Sequence, residues 1–252
     1  SPADDIFIRV ERDLDIDTEG QLVASVLSKK IAAGSTHVVI DIPVGATAKV
    51  RSRQAADSLA EKLVAVGAKF NLSVSCVVTD GSQPVGRGIG PALEAHDVLA
   101  VLKNEPDAPV DLRDRALALA GKVLEIGGVA LSGNGYAVAQ ATLASGAAWN
   151  KFERICHDQG GMRSPGKAAH VLPVLAQREG VVSSIDNRSL ARVAKLAGAP
   201  RSKVSGIKLL VKLKDTVSKG QALFEIHSDS RSELSYASEY LGKIGDIVTT
   251  AS

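Results

Sequence analysis

Five polar residues near the start of the chain could together bind an anionic small molecule: Arg12, Asp17, Ser25, Lys29 and Lys49. Ser25 and Lys29 are four residues apart in a helical stretch, and this spacing puts both side chains on one helix face. A hydroxyl, three cations and a carboxylate gathered around that face would suit an anionic ligand. Spacing alone, however, favours a simpler interpretation, which is a solvated helix face beside a basic loop.

The elements that carry these residues have clear start and stop signals. The opening helix begins with a capping box, TEGQ at residues 18–21, continues with apolar residues at helical spacing, and ends at Gly34. The HVVIDI run over residues 37–42 is continuous and β-branched, as is typical of a strand buried on both faces of a parallel sheet. Lys49 is then predicted just beyond the end of this strand, after a Pro-Val-Gly turn.

The next segments repeat an order of strand and helix. Residues 53–67 form an amphipathic helix that ends in glycine, and residues 72–81 are a second apolar strand that finishes in Thr-Asp-Gly. A glycine loop at residues 86–90 leads to a helix that starts at Pro91, because proline is favoured at the first helical position. This order predicts an α/β fold with a mixed, mostly parallel sheet and flanking helices.

The remaining sequence divides into a helical segment and a C-terminal unit. Residues 111–128 and 136–161 are each predicted as one helix, and glycine and proline residues over 160–166 mark a hinge. Beyond the hinge, short β segments and a helix predict a small α+β domain. We therefore expect three parts: the end of a helical, substrate-binding region (1–34), an α/β domain (35–162) and a C-terminal α+β domain (163–252).

Composition excludes several classes of function. The 252 residues include 30 Lys and Arg against 28 Asp and Glu, a net charge of +2, so a broad basic surface for nucleic acid or an anionic membrane is not predicted. Aromatic residues make up 3%, too few for stacking on single-stranded nucleic acid. No apolar run reaches the length of a membrane span and no signal peptide opens the sequence, so we expect a cytoplasmic protein.

Other motifs carry weaker signals. The glycine loop could present backbone N–H groups to a phosphate at a helix start, but it lacks dinucleotide and P-loop spacing, and a plain connection explains it as well. The histidines and the two cysteines are not at metal-binding spacing, so we predict no metal site. Asp17 could be a general acid. From the residues alone an ordinary acid at a helix start is the better interpretation, because the helix dipole disfavours the protonated form that a donor needs.

Four segments together resemble the thymidine phosphorylase family: SPADDIFIRVERDLDID, VASVLSKKIAAGSTHVVIDIPVG, TDGSQPVGRGIGPALEAHDVL and FERICHDQGG. The resemblance covers nearly the whole chain, including the small C-terminal domain. The nearest branch includes archaeal AMP phosphorylase and bacterial proteins described as thymidine phosphorylases.

This resemblance implies a pentosyltransferase that performs phosphorolysis. Inorganic phosphate is the co-substrate and attacks C1′ of a nucleoside or nucleotide, releasing free base and a pentose 1-phosphate; thymidine would give thymine and 2-deoxyribose 1-phosphate. No cofactor is implied. Positive charge builds on the sugar and negative charge on the departing base, so cationic and hydroxyl groups are needed around them.

The resemblance also implies roles for the five residues. In pyrimidine-specific members an arginine, a serine and a lysine hold the base, and the corresponding positions here are Arg12, Ser25 and Lys29. In the AMP-cleaving branch a proton-donor aspartate, a serine and a lysine correspond to Asp17, Ser25 and Lys49. Ser25 is common to both schemes. A protonated aspartate suits a purine leaving group better than thymine, and both thymidine and AMP remain candidate substrates.

One feature of the family is missing from this sequence. Family enzymes hold phosphate with an N-terminal Lys-x-Ser-x-Gly-Gly loop, which does not occur among these residues, and the sequence opens at Ser1 in what resembles the middle of a longer protein. We therefore expect a fragment with about the second half of the enzyme, inactive alone, whose full-length form is a homodimer. The competing hypothesis is a non-catalytic nucleotide-binding module.

Overall fold

The structure, a computed structural model, describes residues 19–251. Eight helices lie in this range: α1 Glu19–Ala32, α2 Arg53–Ala68, α3 Pro91–Leu102, α4 Val110–Ile126, α5 Gly135–Ala144, α6 Ala147–Asp158, α7 Asn187–Leu196 and α8 Arg231–Ile244. Nine strands accompany them: β1 His37–Val44, β2 Ser73–Asp80, β3 Gly88–Ile89, β4 His170–Leu175, β5 Gly180–Ile185, β6 Gly206–Leu209, β7 Thr216–Val217, β8 Ala222–Ser228 and β9 Val248–Ala251. The predicted α/β class is confirmed. Arg12 and Asp17 lie outside the described residues.

β1 and β2 form a parallel pair, with His37 opposite Ser73 at one end and Val44 opposite Asp80 at the other. α2 supplies the crossover connection that two parallel strands require. The apolar side chains of both strands pack against α1 and α2, around a buried cluster that includes Leu27. This layer contains α1, where the described part of the chain begins, and β1, which leads into the loop that carries Lys49.

The other strand ladders among residues 19–251 are antiparallel, so the predicted parallel pairing is limited to β1 and β2. One sheet has the order β3-β6-β8-β4 and another has the order β7-β5-β9. The burial pattern of β8 explains why these sheets are antiparallel. Phe224 and Ile226 are buried, whereas Glu225 and His227 alternate with them on a partly exposed face. Sheets that bury one face in this way are commonly antiparallel, because parallel sheets are usually covered on both faces.

The single helix predicted over residues 136–161 is wrong, because the structure has two helices there, α5 and α6. Gly146 separates them with a left-handed φ of 78°, and its N–H bonds to the carbonyl oxygen of Leu143 at 3.0 Å. Glycine reaches this conformation without the steric cost that a side chain would add. The alanine-rich sequence on both sides of Gly146 favours helix and concealed the interruption.

The C-terminal strands and helices surround a large buried core of aliphatic residues. β3 joins their sheet, with Gly88 opposite Lys208, although β3 lies far earlier in the sequence. The division into parts at residues 34 and 162 therefore stays a prediction. Within the described range, every helix is too short or too polar to cross a membrane.

Candidate functional site

Ser25 and Lys29 are two predicted site residues that the structure brings together. They lie one turn apart on α1, and Lys29 Nζ donates a hydrogen bond to Ser25 Oγ at 3.4 Å. At about 100° per residue, this face of α1 is on the opposite side of the helix from Val23 and Leu27. Those two side chains are buried in the core, whereas Ser25 is half-buried and Lys29 is exposed. The hydroxyl and the ammonium group therefore face away from the core.

Lys49 lies on a tight loop that follows β1. The Gly45 N–H donates to the carbonyl oxygen of Val50 at 3.1 Å, and the Ala48 N–H donates to that of Gly45 at 3.0 Å. These bonds fold the loop back on itself. The exposed Lys49 therefore follows the end of β1, as predicted, and lines a cleft together with Glu19 and Leu22 at the N-terminal end of α1.

A cleft of about 340 Å³ lies between this loop and the first turns of α1 and α2. We call it the Lys49 cleft. It is lined by Glu19, Leu22, Lys49, Val50, Arg51, Ala55, Ser58 and Leu59. Ser25 and Lys29 are not among its described lining residues, so within residues 19–251 the Ser25–Lys29 pair and Lys49 lie at separate positions.

The Lys49 cleft has more positive than negative charge. Glu19 forms an ion pair with Lys62 and accepts a hydrogen bond from Ser58 Oγ at 3.4 Å, so its carboxylate is already balanced. Lys49 and Arg51 add two cations along the same cleft. Among the described lining residues Glu19 is the one carboxylate, and its charge is neutralised by Lys62, so this part of the cleft can attract an anionic group.

The first residues of α7 hold the Lys49 loop from the other side. Arg188 donates from Nε to the carbonyl oxygen of Thr47 at 3.1 Å and from Nη2 to that of Ala48 at 3.4 Å. Asn187 Nδ2 donates to the carbonyl oxygen of Gly81 at 3.0 Å, while its Oδ1 is buried with no hydrogen-bond partner within residues 19–251. Sequence reasoning missed these contacts because they join residues that are more than a hundred positions apart.

A second group that sequence reasoning missed lies at the carboxyl ends of β1 and β2. Asp41 accepts hydrogen bonds from Thr79 Oγ1 at 2.6 Å and from Arg115 Nη1 at 3.2 Å, and Arg115 Nη2 donates to the carbonyl oxygen of Asp80 at 2.6 Å. The Ser82 N–H, 2.8 Å from Asp80 Oδ1, is the main cause of a lowered Asp80 pKa. A carboxylate within the apolar run of β1 was the available sequence signal for this network.

The glycine loop before α3 is a structural connection. The N–H groups of Arg87 and Gly88 donate to Oδ2 of the buried Asp97 at 2.6 and 2.7 Å, and the Gly90 N–H donates to Glu94 Oε1 at 2.8 Å. These backbone donors are occupied by carboxylates of the protein itself. Of the two interpretations left open by the sequence, the plain strand-to-helix connection fits this geometry.

The structure describes three of the five predicted site residues. Ser25 and Lys29 form a pair, Lys49 lines a cationic cleft, and Arg12 and Asp17 lie outside the described residues. The chemical roles of all five stay predictions. Over residues 19–251, His, Cys, Asp and Glu side chains form no group of three that could hold a metal ion.

Comparison with known proteins finds both a family domain and close relatives. Residues 181–247 match the family model described as "Pyrimidine nucleoside phosphorylase C-terminal domain". The chain is 62% identical over 248 residues, 98% of its length, to a protein of Chelativorans sp. (strain BNC1) named "Putative thymidine phosphorylase". Proteins with the same name from Parvibaculum lavamentivorans and Tolumonas auensis are each 61% identical over the same share of this chain. The chain spans about half the length of these relatives, 49% in each case.

Proposed function

We propose that this chain, which belongs to the thymidine phosphorylase family, carries the base-binding part of an enzyme that cleaves a nucleoside by phosphorolysis. An oxygen of inorganic phosphate forms a bond to C1′ as the bond from C1′ to the base nitrogen breaks. The bonding electron pair leaves with the base, which then takes a proton. Thymidine is the first proposed substrate, and its products would be thymine and 2-deoxyribose 1-phosphate. The proposed reaction belongs to the full-length protein, as a homodimer.

The Ser25–Lys29 pair is the observation that best supports this proposal. With Lys29 Nζ 3.4 Å from Ser25 Oγ, the ammonium group can orient the hydroxyl, and both groups can donate to carbonyl oxygens of a pyrimidine. Negative charge reaches those oxygens as the base departs. Donors placed there bind the transition state more strongly than the ground state, which is the condition for catalysis. Arg12 is proposed as a third donor to the same base.

AMP or another nucleoside monophosphate is the alternative substrate. Lys49 and Arg51 supply two positive charges to the Lys49 cleft, and such charges suit the 5′-phosphate of a nucleotide. In this scheme Ser25 also contacts the nucleotide, and Asp17 donates the proton that the departing purine nitrogen takes up. Inorganic phosphate remains the co-substrate.

The test is base release by the full-length protein from thymidine and from AMP, each with and without inorganic phosphate. We expect Ser25→Ala and Lys29→Gln to lower kcat/KM by roughly tenfold to a hundredfold, as for loss of a donor to developing negative charge. Ser28→Ala and Lys30→Gln, on the same helix, are matched controls with near-normal rates. No phosphate-dependent base release from either substrate would overturn the enzyme proposal and favour a non-catalytic nucleotide-binding module. Equal losses in the control variants would overturn the roles of Ser25 and Lys29.

A further inference from the structure

A second cavity of about 340 Å³ lies between α3 and the outer face of the β3-β6-β8-β4 sheet. Among the described residues, none lines both this cavity and the Lys49 cleft. Four basic side chains line it: His96, Lys167, Lys208 and His227. The buried Asp97 and apolar side chains, including Leu93, Val171 and Val204, also line it. A volume of this size lies at the lower end of the range for small-molecule sites.

The sheet fixes two of the basic groups in place. Lys208 on β6 lies between Gly88 on β3 and Glu225 on β8 in the strand register. Glu225 and His227 are two residues apart on β8 and so share its outer face, where His227 Nε2 and Glu225 Oε2 are 3.1 Å apart. The opposite face of the same strands packs into the buried core through residues such as Ile226. Lys208 and His227 are therefore presented by a rigid surface.

The acidic groups near this cavity already have partners in the protein. Asp97 Oδ2 accepts hydrogen bonds from the N–H groups of Arg87 and Gly88, and its Oδ1 lies 3.6 Å from Arg87 Nε. Glu225 is engaged by His227. With Asp97 paired to Arg87, Lys208 and the more exposed Lys167 outnumber the one remaining carboxylate, Glu225, among the described residues, and the cavity keeps a positive balance.

We propose that this cavity binds a small organic phosphate, a phosphate monoester whose organic part packs against Leu93 and Val171. Lysine binds phosphate as a point charge, and the N–H groups of histidine can donate hydrogen bonds to phosphate oxygens; both residue types line the cavity. Inorganic phosphate alone would leave most of the volume and the apolar walls unused. The site is separate from the residues assigned to phosphorolysis and does not rest on that assignment.

The experiment follows the imidazole signals of the histidines by NMR while ribose 5-phosphate is added to the chain. We expect saturable shifts for His96 and His227, while His37 and His157, which do not line the cavity, stay unchanged. Ribose, which lacks the phosphate, should cause no shift, and inorganic phosphate should bind more weakly than ribose 5-phosphate. Absent or non-saturable shifts for His96 and His227, or equal shifts with ribose, would overturn the proposal.

Two cavity variants and two controls assign the binding to this cavity. Lys208→Gln should weaken binding of ribose 5-phosphate at least about tenfold, the effect of losing one charged contact, and Lys167→Gln provides a second test at an exposed position that does not endanger folding. Lys195→Gln, on the exposed side of α7, is the matched control. Lys49→Gln should leave the His96 and His227 shifts intact, which separates this proposal from the one for phosphorolysis. Unchanged binding in both cavity variants would overturn it.

Discussion

Arg188 Nε donates to the carbonyl oxygen of Thr47 at 3.1 Å, and this bond ties the start of α7 to the loop that carries Lys49. A second bond from Arg188 Nη2 reaches the next carbonyl, that of Ala48, at 3.4 Å. Lys49 is the following residue, so its backbone is held by a side chain of the C-terminal part of the chain. The position of a predicted substrate-binding lysine thus depends on two distant segments.

Arg188→Ala should therefore weaken substrate binding through the Lys49 loop. Two exposed hydrogen bonds of about 0.5–1 kcal/mol each correspond, under the AMP proposal, to a rise in KM for AMP of up to roughly fivefold to thirtyfold, with a smaller change in kcat. Arg188→Lys should recover part of the loss. Arg192→Ala is the control on the same helix, since its guanidinium lies over the Tyr240 ring at 5.3 Å. A KM that rises equally in both alanine variants would contradict the positioning role.

Gly45→Ala should destabilise the protein because there is no space for a side chain at this position. A Cβ on Gly45 would lie 2.4 Å from the carbonyl oxygen of Gly81, and both residues belong to the tight ends of β1 and β2. We expect a loss of about 1–3 kcal/mol in the free energy of unfolding. Gly20→Ala is the opposite case, since a Cβ there meets no atom of residues 19–251 within 4 Å and alanine favours helix. It should add about 0.5–1 kcal/mol, and urea unfolding of both variants gives the comparison.

Arg115→Met should destabilise the protein, because Asp41 depends on its ion pair with Arg115. The two side chains are 18% and 25% exposed, so removing the guanidinium leaves a carboxylate that water solvates poorly. We expect a loss of about 1–3 kcal/mol, reduced from the value for a fully buried pair by this partial exposure. Combining it with Asp41→Asn should cost less than the sum of the single changes. Arg113→Met is the control; it breaks a surface ion pair with Asp114 and should change the free energy of unfolding by less than about 0.5–1 kcal/mol. If the effects of the changes at Asp41 and Arg115 were strictly additive, the coupling between these two residues would be refuted.

The free energy of unfolding should depend on pH in the acidic range, because Asp186 caps the N-terminus of α7. Burial acts to raise its pKa, but hydrogen bonds from Ser189 Oγ at 2.7 Å and from the N–H groups of Ser189 and Arg188 outweigh it, and the pKa is lowered. Because the folded-state pKa is below the unfolded value of about 3.9, the ionised form stabilises the fold above that pH. This contribution is lost as pH falls through the folded-state pKa.

Asp186→Asn keeps a capping side chain and removes the titration. Its deficit in the free energy of unfolding should be constant at neutral pH and shrink as pH falls below about 4. Asp186→Ala loses the cap as well and should cost about 0.5–2 kcal/mol at neutral pH. Thermal unfolding across the pH range measures both; an Asn deficit that stays the same at every pH would show that charge at Asp186 has no part in the cap.

Asp17→Asn separates the two candidate substrates in the full-length protein. If Asp17 donates a proton to a departing purine, its loss should lower AMP cleavage by roughly a hundredfold or more and thymidine cleavage much less, because general acid catalysis supplies factors of that size. Base release from the two substrates, measured side by side, gives the ratio. Equal losses would assign Asp17 to the start of the helix instead.

Local patterns in the sequence predicted the elements that depend on nearby residues. The spacing of Ser25 and Lys29 placed both on one face of α1, and the β-branched run after His37 predicted β1. The proline at position 91 predicted the first residue of α3, which the structure confirms. Gly146 shows the limit of such patterns, because its left-handed backbone interrupts a run of strong helix formers.

Other features could not be predicted because they join distant parts of the chain. Three features bring together residues that are remote in sequence: the antiparallel pairing of β3 with β6, the contact of α7 with the Lys49 loop, and the basic cavity above β6 and β8. Helical spacing, capping and strand composition act over a few residues. The sequence alone therefore determined the local helices and strands, and it also carried the resemblance to the thymidine phosphorylase family. Tertiary packing decided which side chains share a cleft, because that depends on how whole sheets and helices bury their apolar faces against one another.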